Sequence, residues 1–286
     1  MADKLKRIGW AVAAAVLAAG GVQVVTAAPA VAVPGLIRMP GIPTADNDQV
    51  DKSVSVLCPV SSPRIVGGGI VIDDHGQRRA FARFMQPTKN AGPNGEDRYS
   101  VGATVPPGFV GTYRLQAIAV CASNAGVPGH EVRAGTPSTP PSSAAAQDAV
   151  AGCSSSTKKV LGFGGGVLNG GRQVGLQTVR ADKPRGISRT FAQENSNYTP
   201  LWQVQSFVIC MTSNDTTPPS GAAIPGDTAS TLCANNPNQF VHGPGGGAWD
   251  GTGLIHQILP SANLKLTTVI ITPGSTAAFT SAICIT

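Results

Sequence analysis

Six cysteines, four histidines and a few tryptophans are the side chains of this sequence with the most chemistry to offer. The cysteines are Cys58, Cys121, Cys153, Cys210, Cys233 and Cys284. No two are close in sequence and no CxxC occurs, so the spacing offers disulfides rather than a metal site. The histidines are His75, His130, His242 and His256. None sits in HExxH, and no Gly-x-Ser-x-Gly elbow supplies a nucleophile for them. Each reads as a surface or satisfied strand residue. The three glutamates, Glu96, Glu131 and Glu194, lie in or beside expected turns or loops. The adjacent pairs Asp73-Asp74 and Glu96-Asp97 read as solvated turn charge, because neighbours on a strand point to opposite faces and make no acid–base couple. No catalytic residue, cofactor or metal ligand is expected from these patterns.

Binding chemistry is better represented. Trp249-Asp250 follows a run of three glycines, and a ring beside an acid on a β loop can stack on a sugar and hydrogen-bond it. Tyr198 is another scarce ring in a chain with 5% aromatics. Trp202 alternates with Val204 and Val208 and reads as core. Residues 58–121 carry seven Lys/Arg against four Asp/Glu, residues 153–210 seven against two, and residues 233–284 one of each. The first two segments are basic and suit an anionic polymer. Short basic runs without interleaved aromatics give no specific nucleic-acid signal.

An internal repeat must position these residues. After Cys58, Cys153 and Cys233 come a polar turn, a hydrophobic pair and then Gly67-Gly68-Gly69, Gly164-Gly165-Gly166 or Gly245-Gly246-Gly247. Cys121, Cys210 and Cys284 each follow an apolar strand and precede an apolar residue and Ser or Thr. The simplest pairing closes each repeat on itself: Cys58–Cys121, Cys153–Cys210 and Cys233–Cys284. Each bridge would enclose about 50 to 60 residues and stabilise by roughly 4 kcal/mol. The bare glycines read as a place where a neighbouring backbone or ring packs, in preference to a ligand platform.

Charged residues at 13%, with 35 glycines and 23 prolines, suit short strands and tight turns. The expected organisation is a signal peptide at 1–30, a Pro/Gly-bearing leader at 31–52, and β repeats at 53–123, 151–211 and 231–286. Linkers are expected at 124–150 and 212–230. Lys4, Lys6 and Arg7 form a positive n-region before the apolar stretch Ile8–Val25. Small residues place cleavage near Ala30 or Ala32, and no later stretch is long and apolar enough to span a bilayer.

The order Cys, hydrophobic pair, Gly-Gly-Gly, strands, apolar-Cys resembles the cysteine-flanked triple-glycine β repeats of secreted actinobacterial proteins. That resemblance covers about residues 53–286 and implies export and β architecture without an activity. Threefold glycine-rich β repeats are also similar to β-prism proteins such as vitelline membrane outer layer protein I. The expected fold is all-β: three diverged antiparallel β repeats, either as a β-prism-like single core or as three small disulfide-closed modules. The expected role is a secreted, non-catalytic binding or structural protein that associates with cell-envelope carbohydrate or an anionic polymer. The alternatives are an extracellular hydrolase with a site assembled between repeats, or a secreted protein inhibitor.

Overall fold

The computed structural model describes residues 33–182, 186–195, 198–213, 221, 223–233 and 238–285. The expected signal peptide and its cleavage sites lie outside the described residues. Among the described residues twenty strands follow one another in three sets. The first set is β1 (Ile37–Pro40), β2 (Asp51–Leu57), β3 (Arg64–Asp73), β4 (Phe81–Thr88), β5 (Arg98–Thr104) and β6 (Arg114–Ala122). The second is β7 (Glu131–Ala134), β8 (Ala146–Gly152), β9 (Lys158–Leu168), β10 (Val174–Asp182), β11 (Ile187–Glu194) and β12 (Gln203–Thr212). The third is β13 (Ala223–Pro225), β14 (Thr228–Leu232), β15 (Phe240–Gly243), β16 (Gly246–Ala248), β17 (Ile255–Pro260), β18 (Leu266–Ile271), β19 (Ala277–Thr280) and β20 (Ile283–Ile285).

The sets interlock instead of folding separately. The three six-stranded sheets run β1-β6-β3-β17-β18-β14, β2-β5-β4-β9-β12-β7 and β13-β19-β16-β10-β11-β8. Each sheet therefore joins the first, sixth and third strands of one repeat to the fourth, fifth and second strands of another. In the third repeat the third and sixth positions are each broken in two, and β15 pairs with β20 beyond the break. One apolar core draws on all three sheets, with a small satellite of Cys233, Val241, Ala282 and Cys284. Of the two expected arrangements, the single core is the one adopted.

Segments 31–52 and 124–150, expected as leader and linker, carry β1, β7, most of β8, and the start of β2. Segment 212–230 likewise holds β13 and the start of β14. These are the first and second strands of each repeat, and they lie at sheet edges. An edge strand is hydrogen-bonded on one side only, so it readily accommodates residues such as Pro40 and Pro225. Pro-rich composition there marks sheet edges as well as connections.

The disulfides close each repeat as expected: Cys58–Cys121, Cys153–Cys210 and Cys233–Cys284. The strand leading to the second cysteine alternates as its sequence implies. Tyr113, Leu115, Ala117, Ala119 and Cys121 are all fully buried, as is Trp202 ahead of β12.

Opposite each of these strands, one residue is skipped. Ile65 faces Cys121 and Gly67 faces Val120, leaving Val66 as a bulge. Leu161 and His242 are bulged in the same place in the other repeats. A bulge re-aims the backbone. Here the carbonyl of His242 lies where a Cβ on Gly67 would be, that of Val66 where a Cβ on Gly162 would be, and that of Leu161 where a Cβ on Gly243 would be. The three contacts form a closed ring that ties every repeat to the next.

Gly67, Gly162 and Gly243 are therefore the equivalent positions, and the triple glycines are offset. Those of the second and third repeats begin two residues later along the strand than that of the first. Their extra glycines reach the seams where repeats meet: Phe84 and Met85 of β4 face Gly166 and Gly165, and Thr178 and Val179 of β10 face Gly247 and Gly246. In the remaining sheet the seam position is Ile70, opposite Ile258. Two seams are bare and one is filled.

Candidate functional site

A cleft lies beside each glycine seam, lined by the flanking strands. The larger, about 380 Å3, is lined by Asp51, Lys52, Arg83, Phe84 and Val167 among others. Its charges are answered from within. The Lys52 ammonium donates to the carbonyls of Ala45 (2.8 Å), Asn47 (3.2 Å) and Tyr113, and lies 4.3 Å from the Tyr113 ring centre. Burial pulls its pKa down, as it should for a cation taken from water. Arg83 lies 3.7 Å from the Asp51 carboxylate.

The second cleft, about 200 Å3, holds Trp249. Paired strands place Phe279 of β19, Gly247 of β16 and Thr178 of β10 side by side on one face. Gly247 has no side chain, and the Gln177 carbonyl lies where its Cβ would be, so the β10 backbone packs directly against β16 between Phe279 and Thr178. Trp249 follows β16 and is 61% exposed, the largest exposed ring among the described residues. It meets Phe279 edge to face, with centroids 5.5 Å apart and planes at 86°. Arg180 lies 5.6 Å from the Phe191 ring and 5.8 Å from the Phe279 ring. Arg189 approaches the same Phe191 at 5.1 Å and pairs with Asp148 at 3.0 Å.

The loop that carries Trp249 is pinned from several sides. The Thr178 hydroxyl donates to the Ala248 carbonyl (3.1 Å), and the Gln177 amide donates to Gly251 (3.3 Å). Asp250 does not line the cleft. Its carboxylate accepts from the Ser275 hydroxyl (2.9 Å), the Thr276 backbone N–H (3.0 Å) and the Thr276 hydroxyl. The Thr276 and Ser275 hydrogen bonds hold its pKa below the usual carboxylate value. The expected sugar acceptor is thus a loop anchor that positions the ring beside it.

Tyr198 stands apart from this cleft. Its hydroxyl donates to the Asn169 carbonyl (2.8 Å), and its ring packs over Gly171. The sequence reading missed Arg180, Phe191 and Phe279. The alternation of β10 and β11 marks Arg180 and Phe191 as outward-facing, but nothing local says that they meet Phe279.

Of the four turn acids, Asp73 is half-exposed and pairs with Arg114, but the other three are not solvated. Asp74 and Asp97 are fully buried and Glu96 is 5% exposed. Asp74 accepts backbone N–H groups from Arg78 (2.9 Å), Arg79 (2.7 Å) and Ala80 (3.1 Å). Asp97 accepts from Ile65 (3.0 Å) and Asn90 (2.9 Å), and Arg64 pairs with it at 3.3 Å. These acids replace water at turns whose backbone donors are buried. His256 lies 3.8 Å from Asp74, with Nδ1 2.8 Å from the Ala80 carbonyl. His130 lies 3.6 Å from Asp97, with Nε2 2.7 Å from the Ile65 carbonyl. Both pairs tie strands together inside the fold.

Glu131, Cys153 and Cys210 converge within 4.8 Å, the spacing of a metal site. The two sulfurs are joined to each other, and the carboxylate takes Lys158 at 2.7 Å and the Ser154 N–H and hydroxyl, each at 2.7 Å. Burial opposes ionisation of Glu131, but these donors outweigh it and bring its pKa to about 2. No helix among the described residues is long and apolar enough to cross a membrane. No protein-family model matches the chain, and no curated protein is significantly similar to it.

Proposed function

We propose that this is an exported, non-catalytic binding protein of the cell envelope that holds carbohydrate in the Trp249 cleft. The observation that carries this reading is a 61% exposed tryptophan, braced by Phe279 and lining a cleft of about 200 Å3 with Phe191 and Arg180. Exposing such a ring to water is unfavourable unless a partner covers it, and the faces of sugar rings stack on indoles. Export is supported by the positive n-region, the apolar stretch after it and three disulfides, which persist in oxidising compartments.

The rival readings draw less support. A hydrolase needs an acid or base that reaches substrate, whereas Asp74 and Asp97 are taken up by backbone donors. An inhibitor would draw on a rigid protruding loop, and segment 124–150 holds the edge strands β7 and most of β8.

The test is co-sedimentation of the purified protein with insoluble polysaccharides and isolated cell walls, at low and high salt. Retention is expected, and Trp249→Ala should weaken it by about tenfold, the loss of one stacked ring. Its melting temperature should stay close to that of the parent, since the ring is mostly exposed. Absence of retention on every polymer would defeat the reading.

A further inference from the structure

Building on the carbohydrate reading above, we propose that the Trp249 cleft is selective for an acidic saccharide, with the sugar against Trp249 and its oxyanion against Arg180.

The Nε atoms of Arg83, Arg98 and Arg180 are each buried without an acceptor, but the Arg83 guanidinium lies 3.7 Å from Asp51 and that of Arg98 donates to the Ala91 carbonyl. Arg64, Arg78, Arg114, Lys158 and Arg189 all have carboxylate partners. Arg180 has no ion pair or hydrogen bond among the described residues, and its Nε is buried without an acceptor. Its neighbours are two aromatic rings, Phe191 and Phe279. Rings on a guanidinium hold its plane by cation–π attraction but leave its N–H donors unsatisfied. A desolvated donor in that state calls for an acceptor from outside.

The nearby acids do not answer it. Asp148 is taken by Arg189, and Asp250 by Ser275 and Thr276. Asp182, two residues along the same strand, makes no ion pair among the described residues. Among the described residues no carboxylate therefore comes within ion-pair distance of Arg180, whereas Arg189 beside Phe191 is balanced by Asp148.

The geometry joins this cation to the sugar platform. Phe279 is the shared neighbour, 5.5 Å from Trp249 and 5.8 Å from Arg180. Ring and cation flank one aromatic floor, a span that a short oligosaccharide covers. A planar guanidinium held in place by its neighbours recognises carboxylate or phosphate through paired N–H donors, and little ordering remains to be done on binding.

The chemistry demanded is an oxyanion on a saccharide, which a uronic acid or a sugar phosphate can supply. The experiment separates the two. Binding of the purified, disulfide-intact protein is measured on immobilised polygalacturonate and its methyl-esterified form, and on phosphomannan and neutral mannan. At least one acidic polymer should bind about tenfold more tightly than its neutral counterpart, with the preference falling as salt rises. A preference on polygalacturonate identifies the carboxylate source, and one on phosphomannan the phosphate source.

Arg180→Gln should abolish the preference. Arg180→Lys should retain part of it, since charge without the planar fork still attracts. Thermal melting of both variants shows whether the fold is intact, and Arg180→Lys serves if Arg180→Gln does not fold. Equal binding to acidic and neutral polymers would overturn the acidic selectivity and leave the carbohydrate reading standing. A preference that neither variant moves would overturn it too, placing the charge elsewhere on the basic repeats. No binding to any of the four, together with no retention on insoluble polymers, would overturn both.

Discussion

The two clefts sit at equivalent seams, yet only one leaves its chemistry open. At the β4–β9 seam Arg83 faces Asp51, and Lys52 is enclosed by three carbonyls. At the β10–β16 seam Arg180 faces only rings, and Trp249 stands in solvent. At the third seam, between β3 and β17, Ile70 occupies the position that glycine takes elsewhere. One backbone plan has thus been used three ways: filled, charge-balanced and open. The difference lies in side chains that the repeat does not share, which is where a grafted function is found on a symmetric frame.

The comparison holds only while the repeats interlock, and the severest way to break it is at the centre. A side chain on Gly162 would overlap the Val66 carbonyl, a backbone atom inside the ring of three contacts. Gly162→Val should therefore cost about 3 kcal/mol or more, as overpacking does where the backbone cannot yield. Both clefts would be lost together. Denaturant titration against the parent measures the cost. A stable Gly162→Val protein would show that the repeats can part at this point, contrary to the close packing described.

Much of that frame is legible in the sequence. The recurring cysteines give the bridges, and the alternation from Tyr113 to Cys121 gives a buried strand. What escapes is whatever depends on partners distant in the chain. Gly67-Gly68-Gly69 and Gly164-Gly165-Gly166 look equivalent as letters, but when the repeats are aligned on the bulges at Val66 and Leu161 the two runs are offset by two residues. Strands β1, β7 and β13 are only three or four residues long and exist because a neighbour offers an edge. Asp74 and Asp97 look like turn charge because sequence does not reveal that the donors they cap are buried. The candidate site divides in the same way. Trp249 is visible as a scarce ring after glycines, whereas Arg180, Phe191 and Phe279 come from three strands and meet only in the folded sheet.

A milder change sharpens the contrast by acting on one cleft alone. Asp250 holds Ser275 and Thr276 and so fixes the loop bearing Trp249, while the Arg83 cleft has no such anchor. Asp250→Ala should reduce polysaccharide retention several-fold by loosening the ring, with little change in global melting. The same anchor sets a pH dependence. Its folded pKa lies below the ordinary value of 3.8, so its contribution is complete above that value and is lost as pH falls through the lower, folded one. Retention should hold through mildly acidic conditions and decline only below about pH 4. Wild-type and Asp250→Ala profiles that decline in parallel would dissociate the loop from this carboxylate.

The smallest effect tests whether charge balance is what keeps the other cleft quiet. Asp51 is 59% exposed and 3.7 Å from Arg83, so the pair contributes little to stability. Asp51→Asn should change the unfolding free energy by less than about 0.5 kcal/mol. It would leave Arg83 without its carboxylate beside Phe84, closer to the arrangement around Arg180. Weak, salt-sensitive binding of polygalacturonate should then rise by about twofold over the parent. The gain should survive Trp249→Ala in the double variant, because it arises at a different seam. If Asp51→Asn leaves binding unchanged, an unanswered arginine is insufficient, and the exposed ring and second phenylalanine at the β10–β16 seam are what separate the clefts.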